Sequence, residues 1–82
     1  SKAEITEKDL QDVEFGISQG VDYFAHSYVG SAEDVKVLRA ELEKRGSKTP
    51  IIAKIERQEA VNDFDAILAG EARGRWVVRV GR

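Results

Sequence analysis

Eighty-two residues, 41% hydrophobic and 34% charged, suit one small globular domain with a modest core rather than a disordered or membrane-embedded chain. No apolar run approaches the roughly 18–20 residues needed to cross a bilayer, and no signal peptide is expected at the start. There is no cysteine and one histidine, His26, which excludes disulfides, thiolate metal sites and a multi-histidine zinc centre; a soluble, cytoplasmic protein is the expectation.

Thr6 has a capping hydroxyl and Asp9 follows three residues later, the pattern of a capping box at the start of a helix. Leu10, Val13 and Ile17 recur at helical spacing, with Glu7, Asp9, Asp12 and Glu14 outward or near the positive helix end, and Gly20 supplies a stop. The aromatic and β-branched run 21–29 predicts the first strand. Gly30 turns the chain and Ser31 caps a second helix, again with an aspartate, Asp34, at the third following position. Val35, Leu38 and Leu42 form its inward stripe, Lys44 and Arg45 finish it, and Gly46 stops it.

Pro50 is expected at the start of the second strand, where a missing donor is tolerated. A third helix is predicted near 59–68, with Val61, Phe64, Ile67 and Leu68 as its apolar face and Gly70 as its end. Residues 76–80 predict a last strand. The order α-β-α-β-α-β places helices between successive strands, so the strands are expected to be parallel with right-handed crossovers.

The second strand carries the chemistry. In Ile51-Ile52-Ala53-Lys54-Ile55-Glu56-Arg57, side-chain alternation puts Ile52, Lys54 and Glu56 on one face and Ile51, Ala53 and Ile55 on the other. An ammonium and a carboxylate on a core strand cost several kcal/mol unless paired or solvated. The C-terminal end of a strand is where α/β folds place their ligands, so Lys54 and Glu56 are the candidate pair. The plainer alternative is a same-face salt bridge. His26 reads as a core or sheet-face histidine, and Ser27 and Tyr28 lack the partners of a nucleophile. Trp76 is expected to cover the sheet edge or a helix.

Charge is distributed unevenly. Residues 1–72 hold all 15 acidic side chains; residues 73–82 hold Arg73, Arg75, Arg79 and Arg82 and no acid. Four arginines suggest non-specific anion or nucleic-acid contact, but on an otherwise acidic chain a solvated strand end and tail is the preferred reading, and nucleic acid is not the expected partner.

Several segments together resemble pyruvate kinase, in the middle of its catalytic (β/α)8, or TIM, barrel. Ile5-Thr6-Glu7-Lys8-Asp9, Gly20-Val21-Asp22, Ser31-Ala32-Glu33-Asp34-Val35, Ile52-Ala53-Lys54-Ile55-Glu56, Gln58-Glu59-Ala60-Val61 and Phe64-Asp65-Ala66-Ile67-Leu68 fall in that family's order over about residues 5–68. The resemblance implies an α/β fold with about three parallel strands and three helices of the barrel. It implies a phosphotransferase of glycolysis, moving a phosphoryl group from phosphoenolpyruvate to ADP. The lysine matching Lys54 would contact the phosphoryl group in transit, and the glutamate matching Glu56 would hold magnesium, a hard cation suited to oxygen ligands. The family's potassium and nucleotide sites fall outside this chain.

Departures accompany the match. The family's next strand ends in Ala-Arg-Gly-Asp, whose aspartate is the second metal ligand; this chain reads Val78-Arg79-Val80-Gly81-Arg82, with no carboxylate after Glu71. Gly30 stands where an arginine is common. The expectation is a single partial-barrel domain over 1–82, pyruvate-kinase-like over 1–72 and altered over 73–82 by engineering, frameshift or splicing. Phosphoryl transfer needs placement to within about 0.5 Å, which three strands of eight do not supply. A non-catalytic piece is therefore expected. A component completed by other copies or chains, and an anion- or nucleotide-binding module, are the alternatives. An open inner sheet face and two free edges predict a homo-oligomer, or a helix folded across that face.

Overall fold

The computed structural model describes residues 5–27 and 29–81. Tyr28, expected in the first strand, and Arg82, expected in the basic end, lie outside the described residues. Seven elements follow one another: α1 (Glu7–Gln19), β1 (Phe24–His26), α2 (Ala32–Lys44), β2 (Ile51–Ile55), α3 (Gln58–Asn62), α4 (Phe64–Ala72) and β3 (Val77–Val80).

Both expected capping boxes form. The Thr6 hydroxyl accepts from the Asp9 amide while the Asp9 carboxylate accepts from the Thr6 amide, and Ser31 and Asp34 repeat the arrangement at the start of α2. Each box satisfies N–H groups that a helix start leaves without partners.

The three strands form one parallel sheet in the order β1-β2-β3. Phe24, Ala25 and His26 pair with Ile51, Ile52 and Ala53, while Ile52 to Ile55 pair with Val77 to Val80. The expected face division of β2 holds: Ile51, Ala53 and Ile55 are buried in a core with Val35, Leu38 and Leu42 of α2 and Ile67 of α4. Parallel register carries this division across the sheet. Phe24, His26 and Val78 lie on the helix-covered side, and Ala25, Ile52, Lys54, Val77 and Arg79 lie on the open side.

The structure corrects several boundaries. The first strand covers three residues rather than 21–29, because β1 sits at a sheet edge and pairs only with β2. Trp76 is not part of a strand; it is buried beneath α4, donating its indole N–H to the Ile67 carbonyl at 2.9 Å. The third helix is two helices, broken at Asp63 (φ −108°, ψ 20°), and α4 runs on through Gly70 to Ala72. The break turns the faces: Ile67 is buried, whereas Val61 and Leu68 are exposed.

The glycine that ends α4 is Gly74, at φ 75° in the left-handed region. Its N–H donates to the Glu71 carbonyl and the Arg75 N–H donates to the Gly70 carbonyl, both at 2.9 Å. These bonds satisfy the last carbonyls of the helix in the manner of a Schellman turn. The basic segment then continues as β3, and the Glu71 carboxylate accepts from the Val78 N–H at 2.9 Å. That contact satisfies a backbone donor on an edge strand that would otherwise be open to pairing.

Candidate functional site

Lys54 and Glu56 project at the C-terminal end of β2, the central strand. The Lys54 Nζ stands 3.8 Å from Glu56 Oε2, and the two side chains are 39% and 27% exposed. The pair is partly solvated, which removes most of the cost of burying charge on this strand. Arg79 is the register partner of Lys54 on β3, so the open face carries a second cation next to the first. The backbone closes the site on both sides: the Lys54 carbonyl accepts from the Val29 N–H at 3.3 Å and the Ile55 carbonyl accepts from the Gly81 N–H at 3.1 Å.

Gly81 faces Glu56. A Cβ added there would lie 3.4 Å from Glu56 Oε2 and 3.6 Å from its Cγ. The position therefore points a side chain at the carboxylate, but glycine supplies no donor to it.

Beside this pair the loops are held by charge. Arg57 contacts Glu59, and a Cβ at Gly30 would meet Asp34 Oδ2 at 3.0 Å, Arg57 Nη1 at 3.2 Å and Glu59 Oε1 at 3.2 Å. Arg57 and Glu59 thus occupy the space that any larger side chain at 30 would enter. Asp63, which pattern alone did not single out, bridges two units: its carboxylate accepts from the Ala32 N–H, the first residue of α2, at 2.8 Å. A carboxylate at a helix N-terminus satisfies a free donor and meets the positive end of the helix dipole.

The remaining sequence candidates are not gathered at this site. His26 is half-buried on the helix-covered side, its Nδ1 3.3 Å from the Ser27 carbonyl, as a sheet-face histidine should be. It borders a cavity of about 360 Å³ shared with Ile5, Asp9 and Phe24. Arg39 was not anticipated at all: it is buried, 7% exposed, and donates to the carbonyls of Thr49 and Ser47 at 3.1 and 3.3 Å. The one signal in the sequence was its position next to Leu38 on the inward side of α2.

The donors do not fit a metal centre on their own. Among the described residues no group of three histidine, aspartate or glutamate side chains stands close enough to hold an ion. Magnesium keeps several waters and takes one or two carboxylates with near-octahedral oxygen geometry. Here a single strand carboxylate faces an ammonium.

No helix of the described residues is long and apolar enough to cross a membrane. The sequence model of the pyruvate kinase barrel domain matches residues 1–80. Pyruvate kinase of Mycoplasma genitalium is 49% identical over 65 residues, covering 78% of this chain and 13% of that protein. The Sporosarcina psychrophila pyruvate kinase is 52% identical over 65 residues, covering 78% of this chain and 11% of that protein. The Debaryomyces hansenii pyruvate kinase is 41% identical over 75 residues, covering 92% of this chain and 15% of that protein. The chain therefore spans 11–15% of the length of these relatives. It belongs to the pyruvate kinase family, as a stretch of that family's barrel domain.

Proposed function

We propose that this 82-residue chain is a folded piece of a pyruvate kinase barrel that retains the placement of Lys54 and Glu56 but does not catalyse phosphoryl transfer by itself. The observation that carries this reading is the position of the pair, together on the open face at the C-terminal end of the central strand, with no group of three histidine, aspartate or glutamate side chains placed to hold an ion among the described residues. Lys54 is the group proposed to meet a phosphoryl oxygen, and Glu56 is one proposed member of a metal-holding set that the described residues do not bring up to three side chains. Phosphoryl transfer rests on positioning and charge stabilisation, and both need walls that three strands do not provide. Residues 73–82 are proposed to have lost the family's chemistry while keeping its strand.

The same open face supports the second reading, a working phosphotransferase assembled from several copies or completed by another chain. Val77 on this face is 46% exposed, and burying such surface favours association by about 25 cal/mol per Å². One assay separates the two readings: pyruvate formation from phosphoenolpyruvate and ADP with magnesium and potassium, run on the chain and on Lys54→Met. No turnover above the Lys54→Met control supports the first. Turnover abolished by that substitution, together with a solution mass above the monomer, establishes the second.

A further inference from the structure

The loops that lead into β2 and β3, at the opposite end of the sheet from Lys54, enclose a second charged depression. It has a volume of about 350 Å³ and is lined by Arg39, Glu43, Ser47, Lys48, Gly74 and Arg75. Three of the six residues are cationic and one is anionic.

Arg39 is the unusual member. Its side chain is 9% exposed, and its two terminal nitrogens donate to neutral carbonyls of the Ser47–Thr49 loop. Its Nε is buried with no hydrogen-bond acceptor. The acidic group nearest to it, Glu43 Oε2, is 3.6 Å away on a side chain 62% exposed to solvent. That solvated carboxylate pairs with the buried guanidinium and offsets part of its charge, but three cations against one anion leave the depression with a net positive potential. Lys48 and Arg75 add to that potential and form no ion pair among the described residues. The Arg75 guanidinium lies 6.0 Å from the centroid of the buried Trp76 ring, which limits its freedom. The loop between α2 and β2 is braced as well: the Ser47 and Thr49 hydroxyls are 2.8 Å apart and the Thr49 N–H donates to Ser47 Oγ.

We propose that this depression is an anion site for a phosphate group, either inorganic phosphate or the phosphate of a small phosphomonoester, held between Lys48 and Arg75 over the buried Arg39. A tetrahedral dianion presents oxygens in several directions at once, which suits cations arriving from two separate loops and from α2; a flat, singly charged carboxylate does not. The volume exceeds that of one phosphate and leaves room for its ester substituent. This site is independent of the Lys54–Glu56 pair, which lies at the other end of the strands.

The test uses the full chain and inorganic phosphate, followed by amide chemical shifts at constant ionic strength. Saturable shifts at Lys48, Gly74 and Arg75 are expected, with affinity reduced about tenfold in Lys48→Gln and in Arg75→Gln. Lys54→Met is expected to leave them unchanged. Shifts that do not saturate, that sodium acetate reproduces at equal concentration, or that survive both loop substitutions would overturn the proposal. So would loss of binding in Lys54→Met, which would move the phosphate to the other end of the sheet. Both loop side chains sit at the surface of the depression, and unchanged far-UV circular dichroism of the variants confirms that any loss is local.

Discussion

Gly70 and Trp76 are fitted to one another: a Cβ on Gly70 would fall 1.9 Å from Cζ2 of the Trp76 ring and 2.3 Å from Cε2. The indole lies flush against the backbone of α4, and its N–H reaches the Ile67 carbonyl one turn earlier. The glycine sits inside the last turn of α4 because the ring needs the space. Helix propensity alone disfavours it by about 1 kcal/mol relative to alanine.

Gly70→Ala is therefore expected to destabilise the chain by about 1–3 kcal/mol despite alanine's better helix propensity, because the ring is displaced and its hydrogen bond is lost. Urea denaturation measures this. Combining Gly70→Ala with Trp76→Leu should recover part of the loss, since the smaller side chain vacates the methyl's position.

Asp63 ties the start of α2 to the junction of α3 and α4. Asp63→Ala removes the acceptor for the Ala32 N–H and is expected to cost about 1–2 kcal/mol, while Asp63→Asn, which keeps an oxygen acceptor, should cost less. The midpoints of denaturant unfolding of the two variants give the comparison.

Acid should weaken the fold in a defined range. Hydrogen bonds from the Arg45 and Lys44 side chains hold the Glu41 carboxyl below its ordinary value, and the Thr6 backbone N–H, with its hydroxyl, does the same for Asp9. A carboxyl whose value is depressed in the folded state binds fewer protons folded than unfolded. Its stabilisation is thus present above the ordinary carboxyl value of about 4 and is lost as pH falls through the folded value. Glu41→Gln should flatten the dependence of the urea midpoint on pH below about 5, and leave its slope near neutrality unchanged.

A carboxylate can be returned to the open face. Gly81→Asp would place its side chain beside Glu56 Oε2 and give a cation two oxygen donors on adjacent strands. Manganese affinity, read from the electron paramagnetic resonance signal of the free ion, is expected to rise about tenfold over the unsubstituted chain. Glu56→Gln in the Gly81→Asp background should abolish the gain.

Short-range pattern was enough for the capped starts of α1 and α2, the parallel α/β order, the two faces of β2, and Lys54 and Glu56 on the same side of it. Each of these depends on residues within a turn of helix or a few positions of strand, and the same few positions determine the geometry. Gly70 could be read as a stop and Trp76 as strand because neither residue's neighbours in sequence reveal that the two pack together. The break at Asp63, the Glu71 contact to β3 and the buried guanidinium of Arg39 likewise join groups that are separated along the chain. Their partners are selected by how the helices lie on the sheet, where filling space and satisfying buried donors outweigh local propensity.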